Sequence, residues 1–197
     1  MELKQAISAR YSVRKFLDKE VPIDLIAKIL EVARFAPSSG NTQCWKFILV
    51  QDKNKKASIA NACLEQSWIA SAPLLIVVCN QHSKATSLYG KLGKMFSIQD
   101  CAIISSYLQL LAVDNGLGSC WIGAFDNEAV QNILQIPEDI DPEIILAVGY
   151  SAEEMPQKNR SEIEYLTFFE KWGGKTNPLE KKKGVLQIAK EFVKGTK

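Results

Sequence analysis

The 197-residue chain has one histidine, His82, and no C-x-x-C pair among its five cysteines. A zinc or haem site is excluded for want of ligands, and no metal is expected. Cys44, Cys63, Cys79, Cys101 and Cys120 are widely spaced, several within apolar runs such as 74–79, and read as reduced thiols used as small hydrophobes. His82 stands in a polar stretch and reads as a surface residue. An excess of charge of one sign is also missing. With 24 basic and 22 acidic residues the net charge is +2, too little to gather nucleic acid over a distance. Met1 to Lys4 lack the basic and then apolar regions of a signal peptide, and no continuous apolar run reaches the length of a membrane span. The expectation is a cytoplasmic chain with no membrane and no nucleic-acid partner. The common phosphate and nucleophile motifs are absent as well. There is no G-x-x-x-x-G-K-[ST] loop and no G-x-S-x-G elbow, and Gly116-Leu117-Gly118 follows a helical pattern without a third glycine at the dinucleotide spacing. A single histidine leaves little for a Ser-His-Asp triad. Such a protein must borrow its reactivity or only bind.

What is present is an apolar fraction of 47%, ample for one packed domain. The pattern predicts a helix from an Asp24 cap to about Ala36, broken by Pro37-Ser38-Ser39-Gly40-Asn41. Trp45 to Val50 reads as a strand, Lys55 to Ala70 as a helix, and Leu74 to Cys79 as a strand buried on both faces. Residues 97–113 are apolar nearly all round, which suits either a central helix or one packed against a second subunit. Gly116 and Gly118 end that helix; Cys120 to Ile122 is a short strand, Asn127 to Leu134 a helix, and Glu143 to Val148 a strand. Without a strict βαβ rhythm, the class is α+β. From Leu179 onward a basic tail with Lys181, Lys182 and Lys183 reads as an amphipathic helix that docks on its own protein or, less simply, lies on a membrane surface.

Three polar clusters interrupt this pattern. In Arg10-Tyr11-Ser12-Val13-Arg14 an extended backbone puts Arg10, Ser12 and Arg14 on one side, which suits a phosphate or a solvated arginine pair equally well. Pro37-Ser38-Ser39-Gly40-Asn41-Thr42-Gln43 offers hydroxyls and carboxamides to a ligand, or simply makes a turn. Lys158-Asn159-Arg160 is a second basic pair, on the surface unless something draws it in.

Taken in order, five segments resemble the small FMN-dependent nitroreductase family. They are residues 10–16 (RYSVRKF), 36–47 (APSSGNTQCWKF), 72–78 (APLLIVV), 116–123 (GLGSCWIG) and 147–150 (AVGY). The resemblance implies a mostly antiparallel sheet flanked by helices in an intertwined homodimer, with two FMN at the interface and the helix at 97–113 in the dimer core. It covers residues 1–172 as the domain and leaves 173–197 as a basic amphipathic extension. It implies that Arg10 and Ser12 hold the FMN phosphate with Lys158 and Arg160, and that Arg14 sits at the pyrimidine edge of the flavin. Pro37, Ser38, Ser39 and Asn41 are implied to reach the cofactor from the partner subunit, and Ile122 and Gly123 to lie beside the reactive flavin nitrogen. No side-chain acid or base is implied, because the chemistry belongs to the cofactor. The family usually has proline where this chain has Cys44.

The resulting expectation is an NADH- or NADPH-dependent reductase of nitroaromatics, quinones or similar small electrophilic acceptors, working by a ping-pong cycle. Trp68, Tyr89, Met95 and Phe96 are candidates for the acceptor pocket, or equally for core and interface. A non-catalytic flavin-binding or sensing protein is a different reading. A specialised member of the family, such as a reductive dehalogenase, a ring oxidase or a flavin-degrading enzyme, is a third.

Overall fold

A computed structural model describes residues 1–174. The basic stretch from Leu179 onward, read above as an amphipathic tail, lies outside them. The chain divides into a unit of Met1–Met155 and a second beginning at Pro156. The first contains α1 (Leu3–Ala9), α2 (Ile23–Ala33), β1 (Trp45–Val50), α3 (Lys53–Ala62), β2 (Leu74–Asn80), α4 (Ser83–Tyr89), α5 (Gly93–Asp114), β3 (Gly118–Ile122), α6 (Asn127–Leu134) and β4 (Asp141–Gly149). In the second, the described residues form one short helix, α7 (Ile163–Leu166), and a tilted pair of rings, Phe168 and Trp172, 4.7 Å apart.

The four strands make one sheet in the order β1-β2-β4-β3, antiparallel at every pairing. Alternation along the strands decides the layers. On β2, Leu74, Ile76 and Val78 face one core with Ile144, Leu146 and Val148 of β4, under Ile26 and Ile29 of α2 and Cys101, Ile104 and Leu108 of α5. Leu75, Val77 and Cys79 face the other, with Ile145 and Ala147, under Ile59 of α3, Ile69 and Val130 of α6. Each of these large aliphatic side chains contributes about 1.5–3 kcal/mol on burial. Every residue of β2 is buried, as its unbroken apolar run implied. Between β2 and β4 the register slips at Val78/Cys79, where Glu143 is the additional residue; its carboxylate accepts a 2.9 Å bond from Asn80 Nδ2.

Helix ends follow local chemistry. Asp52 and Asp126 accept backbone hydrogen bonds from Lys55 and Ala129 and cap α3 and α6. α5 ends in a Schellman turn: Leu117 N–H reaches Ala112 O at 2.8 Å, Gly116 N–H reaches Val113 O at 3.0 Å, and Gly116 has φ +74°. Two expected helices differ from the sequence reading. Pro22, not Asp24, holds the N-cap position of α2, leaving Asp24 in the first turn, where the helix dipole favours a carboxylate. That helix also ends at Ala33 rather than Ala36. The expected helix 55–70 stops at Ala62, because Leu64 and Glu65 turn left-handed at φ +56° and +57°; Ser67–Ser71 then forms a separate 3-10 turn. His82 is half-buried at the start of α4, with Nδ1 3.2 Å from Thr86 Oγ1 and Nε2 3.9 Å from Asp141, rather than on the open surface.

Within Ser83–Asp114 an 18-residue window has a mean hydropathy of 1.3, enough by length and composition alone for a membrane span, although polar residues such as Gln99 and Asp100 interrupt its apolar runs. Packing of α5 on the sheet accounts for one side of it, while Leu92, Met95, Ile98 and Tyr107 remain exposed.

Gly118 starts β3 against Val13, and a Cβ built on it would lie 2.5 Å from Val13 Cγ2. Gly118→Ala is expected to cost about 1–3 kcal/mol by overpacking, lowering the thermal midpoint by roughly 3–10 °C. An unchanged midpoint would mean that the segment around Val13 is not clamped to the sheet.

Candidate flavin site

Two clusters of the residues singled out by sequence form on separate parts of the sheet. The first follows α1, where Arg10 leaves the helix into extended backbone. Val13 N–H donates to Ser119 O at 3.0 Å, Ser12 bridges Ser119 in parallel, and Val13 is buried. Further along, Leu17 N–H donates to Tyr150 O and Ala152 N–H to Lys15 O, both at 2.9 Å. Tyr11 Oη donates to Glu153 O at 2.8 Å and lies 2.8 Å from Ser151 Oγ. The segment is thus pinned between the start of β3 and the exit of β4. Arg10, Ser12 and Arg14 all act on Cys120 of β3. Burial pushes the Cys120 thiol up, and three influences oppose it: the charge of Arg14, a hydrogen bond from Ser12 and the charge of Arg10.

Trp68 joins this cluster, with the Arg14 guanidinium carbon 5.9 Å from the centre of its ring, at the outer limit of a cation–π contact. Ile122 ends β3 buried, and Gly123 follows it exposed, so the backbone there is open to a ligand.

The second cluster is the loop between α2 and β1. Gly40, Asn41 and Gln43 are all left-handed, at φ +52°, +56° and +50°. Asparagine visits this region readily, whereas for Gln43 it costs roughly 1–2 kcal/mol. Sequence reasoning missed what holds the loop. Asp100, 3% exposed in the middle of α5, accepts from Ser39 N–H at 2.9 Å, from Ser39 Oγ at 2.7 Å and from Thr42 Oγ1 at 3.5 Å. Ser38 Oγ accepts from Gln43 N–H at 3.1 Å, and Asn41 Oδ1 from Gln43 Nε2 at 3.1 Å. The loop's polar side chains therefore first fix the loop itself. The available signal was a lone carboxylate within an otherwise apolar helical run.

Of the pocket candidates, Tyr89 reaches this loop. Tyr89 packs edge-on to Phe96, with ring centres 5.1 Å apart, and its hydroxyl lies 2.6 Å from where a Cβ on Gly40 would stand. Met95, on the same turn of α5 as Phe96, is exposed. Lys158 and Arg160 belong to the second unit, where Arg160 Nη1 donates to Asn159 O at 2.8 Å.

The family model for nitroreductases matches residues 7–71 and 64–150, taking in both clusters. The chain belongs to the nitroreductase family. This nitroreductase-family protein is 34% identical, over 157 residues, to a protein of Methanothermobacter thermautotrophicus with the provisional name NADH dehydrogenase/NAD(P)H nitroreductase; the match spans 78% of this chain and 79% of the relative. It is 26% identical over 186 residues to an iodotyrosine deiodinase of Thermotoga neapolitana, spanning 81% and 95% of the two chains. Its fold superposes on an FMN-dependent nitroreductase from Clostridium difficile R20291 with a TM-score of 0.73 and 31% identity, covering 85% of this chain and 98% of that one.

All five thiols of the nitroreductase-family protein are free and buried. Burial pushes Cys63 up to about 11; burial, with the Glu143 carboxylate, does the same for Cys79, and Cys101 rises further, again chiefly through burial. Each stays a protonated thiol at neutral pH, a poor nucleophile. Cys44, in place of the usual proline, is 2% exposed and serves as packing. Cys44→Ser is expected to leave flavin-dependent turnover within about twofold of the parent, since the thiol takes no part in the chemistry. A loss of an order of magnitude in steady-state rate, with folding intact, would give Cys44 a redox role.

Proposed function

We propose that this flavin-dependent oxidoreductase holds FMN between two copies of the chain and reduces small electrophilic acceptors, such as nitroaromatics or quinones, at the expense of NADH or NADPH. The observation that carries this reading is that Arg10, Ser12 and Arg14, on a segment clamped along β3, all bear on the same thiol, Cys120. Two guanidinium groups and a hydroxyl are the donor set that a phosphate dianion and an electron-rich ring edge both require, so the residues present fit the cofactor. When bound, FMN supplies the redox chemistry, accepting two electrons and a proton from the nicotinamide and handing them to the acceptor.

The chain's own residues bind and orient. Arg10 and Ser12 grip the phosphate, and the family resemblance adds Lys158 and Arg160 to that grip. Arg14 places positive charge at the pyrimidine edge, where it favours the anionic reduced ring. The backbone at Ile122 and Gly123 faces the reactive nitrogen. Pro37, Ser38, Ser39 and Asn41 come from the second copy. The sheet order supports this, because the loop enters β1 while Arg10, Ser12 and Arg14 lie along β3, at opposite edges of the sheet. Three strand spacings separate them, roughly 14 Å. A ring held at one edge meets this loop most directly from another subunit. The exposed apolar side chains of α5 then have a surface to cover them. Trp68, with Tyr89, Met95 and Phe96 of the second copy, lines one slot that donor and acceptor use in turn, which gives ping-pong turnover. The reaction takes place in the cytoplasm.

The likeness to a deiodinase favours one second reading, reductive dehalogenation at the same slot. Anaerobic mixing of the yellow protein with NADH, and separately with NADPH, is expected to bleach the flavin, and a nitroaromatic or quinone then to restore its colour. Restoration by an iodophenol alone would favour dehalogenation. Failure of both nicotinamides to bleach would leave a flavin-binding or sensing protein.

Arg10→Ala is expected to weaken FMN binding by about 1.5–3 kcal/mol, the worth of a hydrogen bond to a charged group. Fluorescence titration of the flavin-free protein reads this as a Kd higher by roughly 10- to 150-fold. An unchanged Kd would remove Arg10 from the phosphate site.

A further inference from the structure

We propose that Asp100 is a positioning residue for the flavin: a buried carboxylate on the central helix that presets the loop 38–43 in the shape in which it meets the cofactor of the other subunit. The inference rests on the flavin site proposed above and goes beyond it, because Asp100 itself is buried beneath the loop and belongs to neither cluster's ligand-facing set. Its two oxygens take up three donors, all neutral, and all from the loop: the Ser39 amide, the Ser39 hydroxyl and the Thr42 hydroxyl. A carboxylate this deeply buried is costly unless its lone pairs are satisfied, so the loop and Asp100 order one another.

The loop needs such an anchor. Gly40, Asn41 and Gln43 stand in left-handed backbone on either side of a right-handed Thr42, and glutamine does not favour that conformation. The loop's own backbone bonds are two, Asn41 N–H to Ser38 O and Thr42 N–H to Ser39 O, each at 3.0 Å. On Ser39 the second of these bonds meets two of the three Asp100 bonds. From above, Tyr89 closes over Gly40, where a side chain would collide with the tyrosine hydroxyl. The loop is therefore held below by α5 and above by the end of α4. A loop fixed before the cofactor arrives loses less conformational freedom on binding it, which appears as affinity.

The test compares full-length wild type, Asp100→Asn, Asp100→Ala and the loop-side pair Ser39→Ala/Thr42→Val. Two quantities are read: amide hydrogen exchange across 38–43 in flavin-free protein, and FMN Kd by fluorescence titration. Asp100→Ala is expected to speed exchange at Ser39 and Thr42 by about tenfold or more, with strands β2 and β4 unaffected, and to raise the FMN Kd by about tenfold. Asparagine keeps an acceptor for the Ser39 amide, and the Ser39 hydroxyl can accept from its carboxamide. Asp100→Asn should therefore hold Kd within about threefold of wild type. The loop-side pair should reproduce the alanine result in both readouts. Asp100→Ala with wild-type exchange and wild-type Kd would overturn the proposal. Where that variant does not fold, the same result from the loop-side pair overturns it equally. Wild-type protein that binds no FMN would sink the flavin-site reading instead, while exchange at Ser39 would still decide whether Asp100 holds the loop.

Discussion

Burial of β2 and β4 on both faces is the constraint from which the rest of the architecture follows. Alternate residues of each strand feed two separate cores, one beneath α2 and α5 and the other beneath α3 and α6. Strands covered on both sides belong at the centre of a sheet, and β1 and β3 are left to its edges. That order settles where chemistry can be placed. The Arg10–Arg14 segment is pinned along β3, the Ser38–Gln43 loop feeds β1, and two fully packed strands lie between them.

The two clusters differ in what they offer. Beside β3, Arg10 and Arg14 bring positive charge and Ser12 a hydroxyl to bear on Cys120, three residues before the exposed Gly123. In the loop, Ser38, Ser39, Asn41 and Thr42 bond first to their neighbours and to Asp100, so that shape is fixed before any ligand arrives. One cluster supplies charge and the other geometry. Cys63, Cys79 and Cys101, held as protonated thiols by burial, supply neither.

Much of this was legible along the chain. β1 and α6 fall on the expected residues because apolar alternation and an Asp126 cap are local signals. Nothing in Cys63-Leu64-Glu65-Gln66 marks the left-handed turn that breaks the expected helix 55–70; it falls on two exposed residues, Leu64 and Glu65. Pro22, with φ −61°, leads into α2 without a side-chain cap bond, and Asp24 falls two residues later in the first turn. Asp100 escaped notice since averaging over an apolar run hides one carboxylate, and its partners stand some sixty positions away.

The amino-acid order alone determined the class of fold, the central strand, the family and the alternation that turns Arg10, Ser12 and Arg14 to one side. Those properties depend on periodicity and on residues near one another in the chain, where side-chain direction follows from backbone geometry. Only the tertiary structure decided that these three residues act on Cys120, that the loop hangs from Asp100, and that the two clusters occupy opposite edges. Each is a contact across a long separation in sequence, fixed by which faces of the sheet the helices cover and by no local preference.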